Sequence, residues 1–397
     1  MPLYIPRMTE PARHATMRAR NLEVVLGAVT RGGPLTRAAL AERIGLTKST
    51  VSKLVGDLVD AGFLAEAEPT RGGERGRPGV EVFLSGARLG ALGLEVNVDY
   101  LAVCLLDLAG EVRFAVRRER DNRGSSPDRV FADLRTLAEE ALAEAAQLNL
   151  SVVGAGLAVP GLVGDGVVVS APNLGWRDVR VADRLPVPVD VDNEANLAAL
   201  GELWFGAGER DFLYVSGEIG IGAGLVVGGE LFRGSAGLAG ELGHVVVSLD
   251  GAACRCGGSG CLEAYAAQDA LLNAADVESV TELLAALRSR DERALQSCED
   301  GGRALGTALA SAVNLLDLDR IVLGGIFSPL SPWLAPSAVR VLTERLGRLR
   351  GSVPTLTASR LDRDAATLGA AARVVQGVLA DPGPHVARAQ ESLASAR

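Results

Sequence analysis

The chain has 397 residues, 48% of them hydrophobic, and a formal net charge of −9. That length holds two or three domains and that composition buries substantial cores, which excludes a disordered chain. The opening MPLYIPRMTEPARHATMRAR has no apolar run of signal-peptide length, and later apolar stretches are broken well short of about 18 residues, so the sequence predicts a soluble cytoplasmic protein with no membrane partner.

Charge is unevenly divided. Residues 1–84 carry 12 Lys+Arg against 9 Asp+Glu, and the remainder carries 28 against 40. An acidic body beneath a mildly basic head confines nucleic-acid contact to the head. The only two lysines, Lys48 and Lys53, fall in one candidate helix there.

Residues 1–17 read as a flexible N-terminus and 18–84 as the head. Asn21–Thr30 places apolar residues at 22, 25, 26 and 29, the spacing of an amphipathic helix. Thr36 can cap a second helix, Gly45 supplies a turn, and Thr47 opens a third, which is helix-turn-helix spacing. On the third helix Val51, Leu54, Val55 and Leu58 form the buried stripe. Thr47, Lys48, Ser49, Thr50, Ser52 and Lys53 are left on its N-terminal half, the part that enters the major groove in this motif. The other reading of the Ser and Thr residues is caps and solvated surface. A strand from Gly62 and a partner at 80–84 flank the basic, glycine-rich loop 70–79, making a wing. Its Arg75 and Arg77 suit an A·T-rich minor groove, the alternative being a solvated loop. With Arg37 these residues are the expected contacts to double-stranded operator DNA.

From Leu89 to Asp107 two leucine-rich, β-branched strands meet at a turn over 97–99. A helix over Pro127–Gln147, a strand and glycine turn at 152–161, a strand at Val187–Asp192 and a helix opening at Asn193 follow. Alternating strands and helices predict an α/β body. His244, Cys254, Cys256 and Cys261 offer one imidazole and three thiolates, a tetrahedral set suited to structural zinc. Four protein ligands leave no open position, so the ion orders the loop and activates no water. Cys104 and Cys298 read as ordinary buried thiols. The last residues, 381–397, read as a flexible tail.

GlyGluLeuGlyHis at 240–244 followed by the cysteine cluster, AlaValProGly at 158–161, AlaProAsnLeuGlyTrp at 171–176, AspAsnGluAlaAsn at 192–196 and ValLeuGlyGly at 322–325 together resemble the ROK family of repressors and sugar kinases. The resemblance implies an actin-like, ribonuclease-H-like fold with two lobes, one over 88–200 and 362–380, the other over 201–361. It also implies that Gly161, Asn193, Glu241, His244 and Glu263 face a bound sugar, with Asn173 and Glu194 as further candidates. Glu241 and Glu263 have the alternative of orienting the metal ligands, and Asn193 that of a helix cap.

Three departures from the family's kinases stand out. Their Asp-x-Gly-Gly-Thr phosphate hairpin is here Glu95-Val96-Asn97-Val98-Asp99, where Val98 blocks close backbone approach and Asp99 is expected to aim a negative charge at phosphate. The second phosphate loop, SerGlyGluIleGlyIleGlyAlaGlyLeu at 216–225, has Glu218 and Ile219 where the kinases use Gly and Thr. Their catalytic aspartate corresponds to Glu194, whose extra methylene moves the carboxylate by about an ångström. The sequence therefore predicts a sugar-responsive repressor with a non-catalytic cleft, no bound ATP, and a homodimer or tetramer on a pseudo-palindromic operator. An active sugar kinase with a DNA-binding head, and a repressor answering to a partner protein, are the alternatives.

Overall fold

The computed structural model describes residues 14–67, 79–207 and 209–395. Helix α1 (His14–Gly32) buries Leu22, Val25, Leu26 and Val29, the predicted stripe, and it starts four residues before the expected boundary at 18. Strand β1 (Leu35–Thr36) leads into α2 (Arg37–Ile44), which Thr36 caps by accepting from the Ala39 N–H at 3.2 Å. Gly45, at φ +71°, takes the left-handed conformation that ends α2. Thr47 then caps α3 (Lys48–Asp60), which buries Val51, Leu54, Val55 and Leu58. Strands β2 (Leu64–Glu66) and β3 (Glu81–Leu84) pair antiparallel and complete the three-stranded order β1-β3-β2. The wing tip, 68–78, lies outside the described residues, and Arg75 and Arg77 with it.

The body repeats one topology twice. Strands β4 (Leu89–Val96), β5 (Tyr100–Asp107) and β6 (Val112–Glu119) form an antiparallel meander, followed by α4 (Pro127–Gln147) and β7 (Ser151–Val159). A small sheet of β8 (Leu162–Gly164), β9 (Val167–Ala171) and β10 (Trp176–Arg180) precedes β11 (Val189–Asn193) and α5 (Glu194–Phe205). The first large sheet runs β11-β7-β4-β5-β6, with β7 parallel to both β4 and β11. The second meander is β12 (Phe212–Gly217), β13 (Ile221–Val227) and β14 (Glu230–Phe232). Short helices α6 (Glu263–Ala266), α7 (Gln268–Ala275) and α8 (Val280–Arg288) lead to α9 (Glu292–Leu316), β15 (Arg320–Gly325), α10 (Phe327–Arg350) and β16 (Thr355–Ala358). In order β14-β13-β12-β15-β16 this sheet again adds two parallel strands beside the first strand of its meander.

Helix α11 (Ala365–Ala380) returns to pack on β4 and β7, while α5 packs on β12 and β13, and the two helices meet between the sheets. A Cβ at Gly369 would fall on the Leu197 carbonyl, so only glycine permits that approach. Because α5 is one continuous helix, the expected lobe boundary at 200/201 cuts through it.

The head is not hung on a free linker. Leu22, Val25 and Phe63 share one apolar core with Ala371, Val375 and Leu379 of α11. The expected flexible tail is corrected at the same place: helix α12 (Gly383–Ser395) packs on α1 and α3. Its Val386 is 1% exposed, its His385 ring meets Phe63 edge-on at 6.3 Å, and Gln390 Nε2 donates to Asp57 Oδ1 at 3.1 Å. The head supplies the apolar surface that a polar segment needs to hold a helix. Among the described residues no helix is long and apolar enough to cross a membrane.

Candidate functional site

The turn after β14 and the loop entering α6 bring His244, Cys254, Cys256 and Cys261 together, with all four donor atoms within 4.8 Å of one another. Cys256 Sγ lies 3.7 Å from Cys261 Sγ, and Cys254 Sγ lies 3.9 Å from His244 Nδ1. A tetrahedral ion with metal–sulfur bonds of about 2.3 Å sets sulfurs about 3.8 Å apart, so the spacing fits a metal of zinc's size and preference. With Nδ1 facing the thiols, Nε2 of His244 faces the other way, 3.9 Å from Glu241 Oε2. Cys104 and Cys298 are buried elsewhere, and burial pushes both thiols up to about 12.

Beside the knot a cleft of about 410 Å³ opens. Gly161, Asn173, Asn193, Glu194, Glu241, His244 and Glu263, the seven positions singled out in the sequence, all line it. Asn193 does act as a cap: its Oδ1 accepts from Ala195 and Asn196 N–H at 2.9 and 3.3 Å, while Nδ2 donates to the Gly161 carbonyl at 2.8 Å. The cap thus holds the Gly161 loop, whose φ of +107° and contact with Ser170 leave no room for a side chain. Glu263 Oε2 accepts from the Ile221 N–H at 3.2 Å, tying α6 to β13. Hydroxyl-bearing ligands need this kind of converging carboxylate, amide and imidazole surface.

The β4–β5 and β12–β13 turns and the start of α5 also line the cleft. Asn97 Nδ2 donates to Glu194 Oε1 at 3.4 Å, and Val98, Glu218 and Ile219 line the cavity beside them. Burial, then the neighbouring Glu218 and Glu95 charges, raise the Glu194 carboxyl well above its ordinary range. Burial likewise lifts Glu218 to about 8, with Glu95 adding to it. Glu95 is fully buried and is itself raised by burial, although it accepts from Tyr100 Oη at 2.6 Å and Thr367 Oγ1 at 2.5 Å. The Asp99 carboxylate pairs with Arg123 at 2.7 Å, its charge acts on the Glu218 carboxyl of the second loop, and it is not among the cleft residues. The carboxyl groups that these turns and α5 bring to the cavity are those of Glu194 and Glu218.

The family model described as "ROK family" matches residues 91–376, which spans both sheets, the knot and the cleft. This chain belongs to the ROK family. The xylose repressor of Bacillus subtilis is 30% identical over 370 residues, covering 90% of this chain and 96% of that protein. A crystal structure of a ROK family transcriptional regulator, a homologue of the E. coli MLC protein, superposes with a TM-score of 0.79 at 26% identity over 94% of this chain and 99% of that one. A ROK family glucokinase from Streptomyces griseus, in complex with glucose and AMPPNP, matches at TM-score 0.62 and 27% identity, over 72% of this chain and 98% of its own. The ROK fold is thus shared with kinases through the body, whereas the regulators match through the head as well.

The head, in turn, matches a MarR family model over residues 24–76 and carries a winged helix-turn-helix. Lys48, Ser49, Ser52 and Lys53 are exposed along α3. Thr47 is spent as the cap, 3.2 Å from the Thr50 N–H, and its hydroxyl also meets those of Ser49 and Thr50. Arg37 donates to the Ser52 carbonyl at 2.8 Å and pairs with Glu66 at 2.8 Å, so it braces α3 from within the head.

One set of residues escaped the sequence reading. Asp192, buried at the end of β11, receives both guanidinium nitrogens of Arg233 at 3.1 and 2.5 Å, and Arg373 of α11 closes on the same carboxylate. Burial alone would lift Asp192, but Arg233 and Arg373 hold it below the usual carboxylate range. Arg373 also pairs with Asp190 at 2.7 Å. The AspAsnGlu motif was the available signal, but its partners lie 41 and 181 residues away.

Proposed function

We propose that this ROK protein is a sugar-responsive repressor that binds operator DNA through α3 and the wing, with a sugar bound but not phosphorylated in the cleft. The observation that carries it is the meeting of Asn193, Glu241, His244 and Glu263 around one cavity, in a chain whose likeness to the repressors includes the head. Structural zinc held by His244, Cys254, Cys256 and Cys261 would order the loop that presents His244 Nε2 to the sugar. Glu194 stands at the base position, and Val98 and Ile219 line the cleft where the resembled kinases' phosphate turns carry glycine and threonine, which supports a cleft without kinase chemistry.

The response follows from how the head is attached. A sugar gripped between the Gly161–Asn193 side and the Glu241–His244–Glu263 side favours the closed cleft, provided that it binds that state more tightly. Asp192 holds Arg233, from the second sheet's side, and Arg373, on α11. The other part of α11 shares its core with the head, so a shift of α11 moves α3. Two heads on a homodimer or tetramer would read a pseudo-palindromic operator in the cytoplasm.

The test is a mobility-shift titration of the full chain on its own promoter DNA with D-xylose, D-glucose and N-acetylglucosamine, paired with thermal shifts. A sugar that stabilises the protein and changes operator affinity supports the reading. Sugar that binds and never alters DNA affinity removes the allosteric part, and sugar-dependent release of ADP from ATP removes the non-catalytic part.

A further inference from the structure

Glu95 stands where the resembled kinases' first phosphate turn begins, yet it is fully buried and not among the cleft residues. Alternation along β4 puts it on the same face as Gly93, and that face packs on α11: a Cβ at Gly93 would collide with the Thr367 carbonyl. Ala102 stands opposite it on β5, so Tyr100 is its diagonal neighbour on that face. Glu95 therefore holds two elements at once, accepting from Tyr100 Oη at 2.6 Å and from Thr367 Oγ1, in the first turn of α11, at 2.5 Å. All three side chains are at most 3% exposed. Apolar groups of the same shape would fill this space without the cost of burying a carboxyl, so stability does not account for it.

Just beyond Glu95 the chain turns through Asn97 and Val98, which line the cleft, and Asn97 Nδ2 reaches Glu194 at 3.4 Å. One turn beyond Thr367, α11 presents Ala371, then Val375 and Leu379, to the core it shares with the head. Elsewhere α11 meets the body with glycine against backbone, Gly156 at the Ala370 carbonyl and Gly201 at the Ala365 carbonyl. Such packing is non-directional, whereas the Glu95 hydrogen bond fixes which residue of α11 lies beside the turn. The anchor is braced in turn. The Arg117 and Arg363 guanidiniums each lie 4.7 Å from the Tyr100 ring, and Arg117 Nη2 donates to the Arg363 carbonyl at 2.7 Å, just before α11.

We propose that Glu95 is a positioning residue of the response, an inference that rests on the sugar-responsive reading above: its side chain couples the cleft-lining β4–β5 turn to Thr367, so that a turn displaced by bound sugar carries α11, and with it the head. The turn that serves phosphate in the resembled kinases becomes a transmission element here. Asp192 grips α11 at Arg373, about 9 Å further along the helix, and a helix held at two points moves as a body where one held at a single point pivots. Sugar then biases the position of α3 by its preference for one arrangement of the turn over the other.

The experiment measures two quantities on the full-length protein: the sugar's dissociation constant by calorimetry, and the factor by which saturating sugar changes affinity for the protein's own promoter DNA. The probe is whichever of D-xylose, D-glucose and N-acetylglucosamine stabilises the wild type in a thermal shift. Thr367→Val keeps the shape and removes the donor. Its sugar binding and sugar-free operator affinity are expected to stay within about threefold of wild type, while the sugar's effect on operator affinity falls by about fivefold or more. Thr367→Ser returns the donor and is expected to restore that effect to within about twofold. The Glu95→Leu/Tyr100→Phe/Thr367→Val variant, apolar throughout, is expected to melt no lower than wild type and still to lack the effect, a combination that a merely structural role would not produce. A wild type that none of the three sugars stabilises, or whose operator affinity ignores bound sugar, overturns the sugar-responsive reading and this proposal with it. With a responsive wild type, a full effect in Thr367→Val or in the triple variant overturns the proposal alone, as does equal loss in the Val and Ser variants.

Discussion

Replacing Asp192 by Asn separates what this residue does for stability from what it does for signalling. Asn keeps the size of the side chain but removes a nearly buried charge that receives two guanidiniums. Breaking a fully buried pair costs about 3–5 kcal/mol because a charge is left stranded. Here the stranded groups are Arg233 and Arg373, 40% and 29% exposed, and Arg373 keeps Asp190, so solvent recovers part of that cost. About 2–3 kcal/mol remains, seen as a melting temperature several degrees lower. The sign of its pH dependence follows from the depressed carboxyl. The wild-type advantage is present above the unfolded value of about 4 and is lost as pH falls through the lower folded value, so wild type and variant should converge in acid. Calorimetric melting from about pH 7 down to about pH 3 measures it. A variant as stable as wild type at neutral pH, or a gap that widens in acid, would refute the ion-network reasoning.

Other substitutions test the remaining parts. Arg373→Gln leaves the cleft lining intact and is expected to keep sugar binding within about threefold while reducing the sugar's effect on operator affinity, read in parallel titrations. Cys256→Ser is expected to lower bound zinc, from about one ion per chain by elemental analysis, and to abolish stabilisation by sugar. Lys48→Ala should weaken operator binding and reduce the salt slope by about one; unchanged affinity and slope would take Lys48 out of the interface. Ending the chain at Asp381 uncovers the surface around Phe63 that Val386 and His385 pack on. The expected cost is about 2–3 kcal/mol, seen as an earlier melting of the head and faster proteolysis there.

What could be read from the sequence was what short range controls. The helix over Pro127–Gln147 has its predicted ends because Ser126 caps it and Pro127 suits its first turn. The cysteine knot was legible because its ligands span 18 residues, with glycines that allow the chain to turn back. The cleft residues were legible through resemblance, since nothing local ties Gly161 to Glu263. Long-range and context-dependent features were hidden. Asp192 and Arg373 meet only once α11 has returned between the sheets. The α12 helix has few large apolar side chains of its own and exists because the head covers Val386 and Ala389. The Asp99–Arg123 pair was hidden too, because nothing in the motif around Asp99 points to a partner 24 residues on.

The most direct test of the account is operator binding by the full-length protein, measured by fluorescence anisotropy with and without a saturating concentration of a sugar shown by thermal shift to bind. The account predicts that the bound sugar lowers operator affinity by about 5–150-fold, the range of ordinary allosteric coupling. Operator affinity unchanged at full sugar occupancy would contradict it.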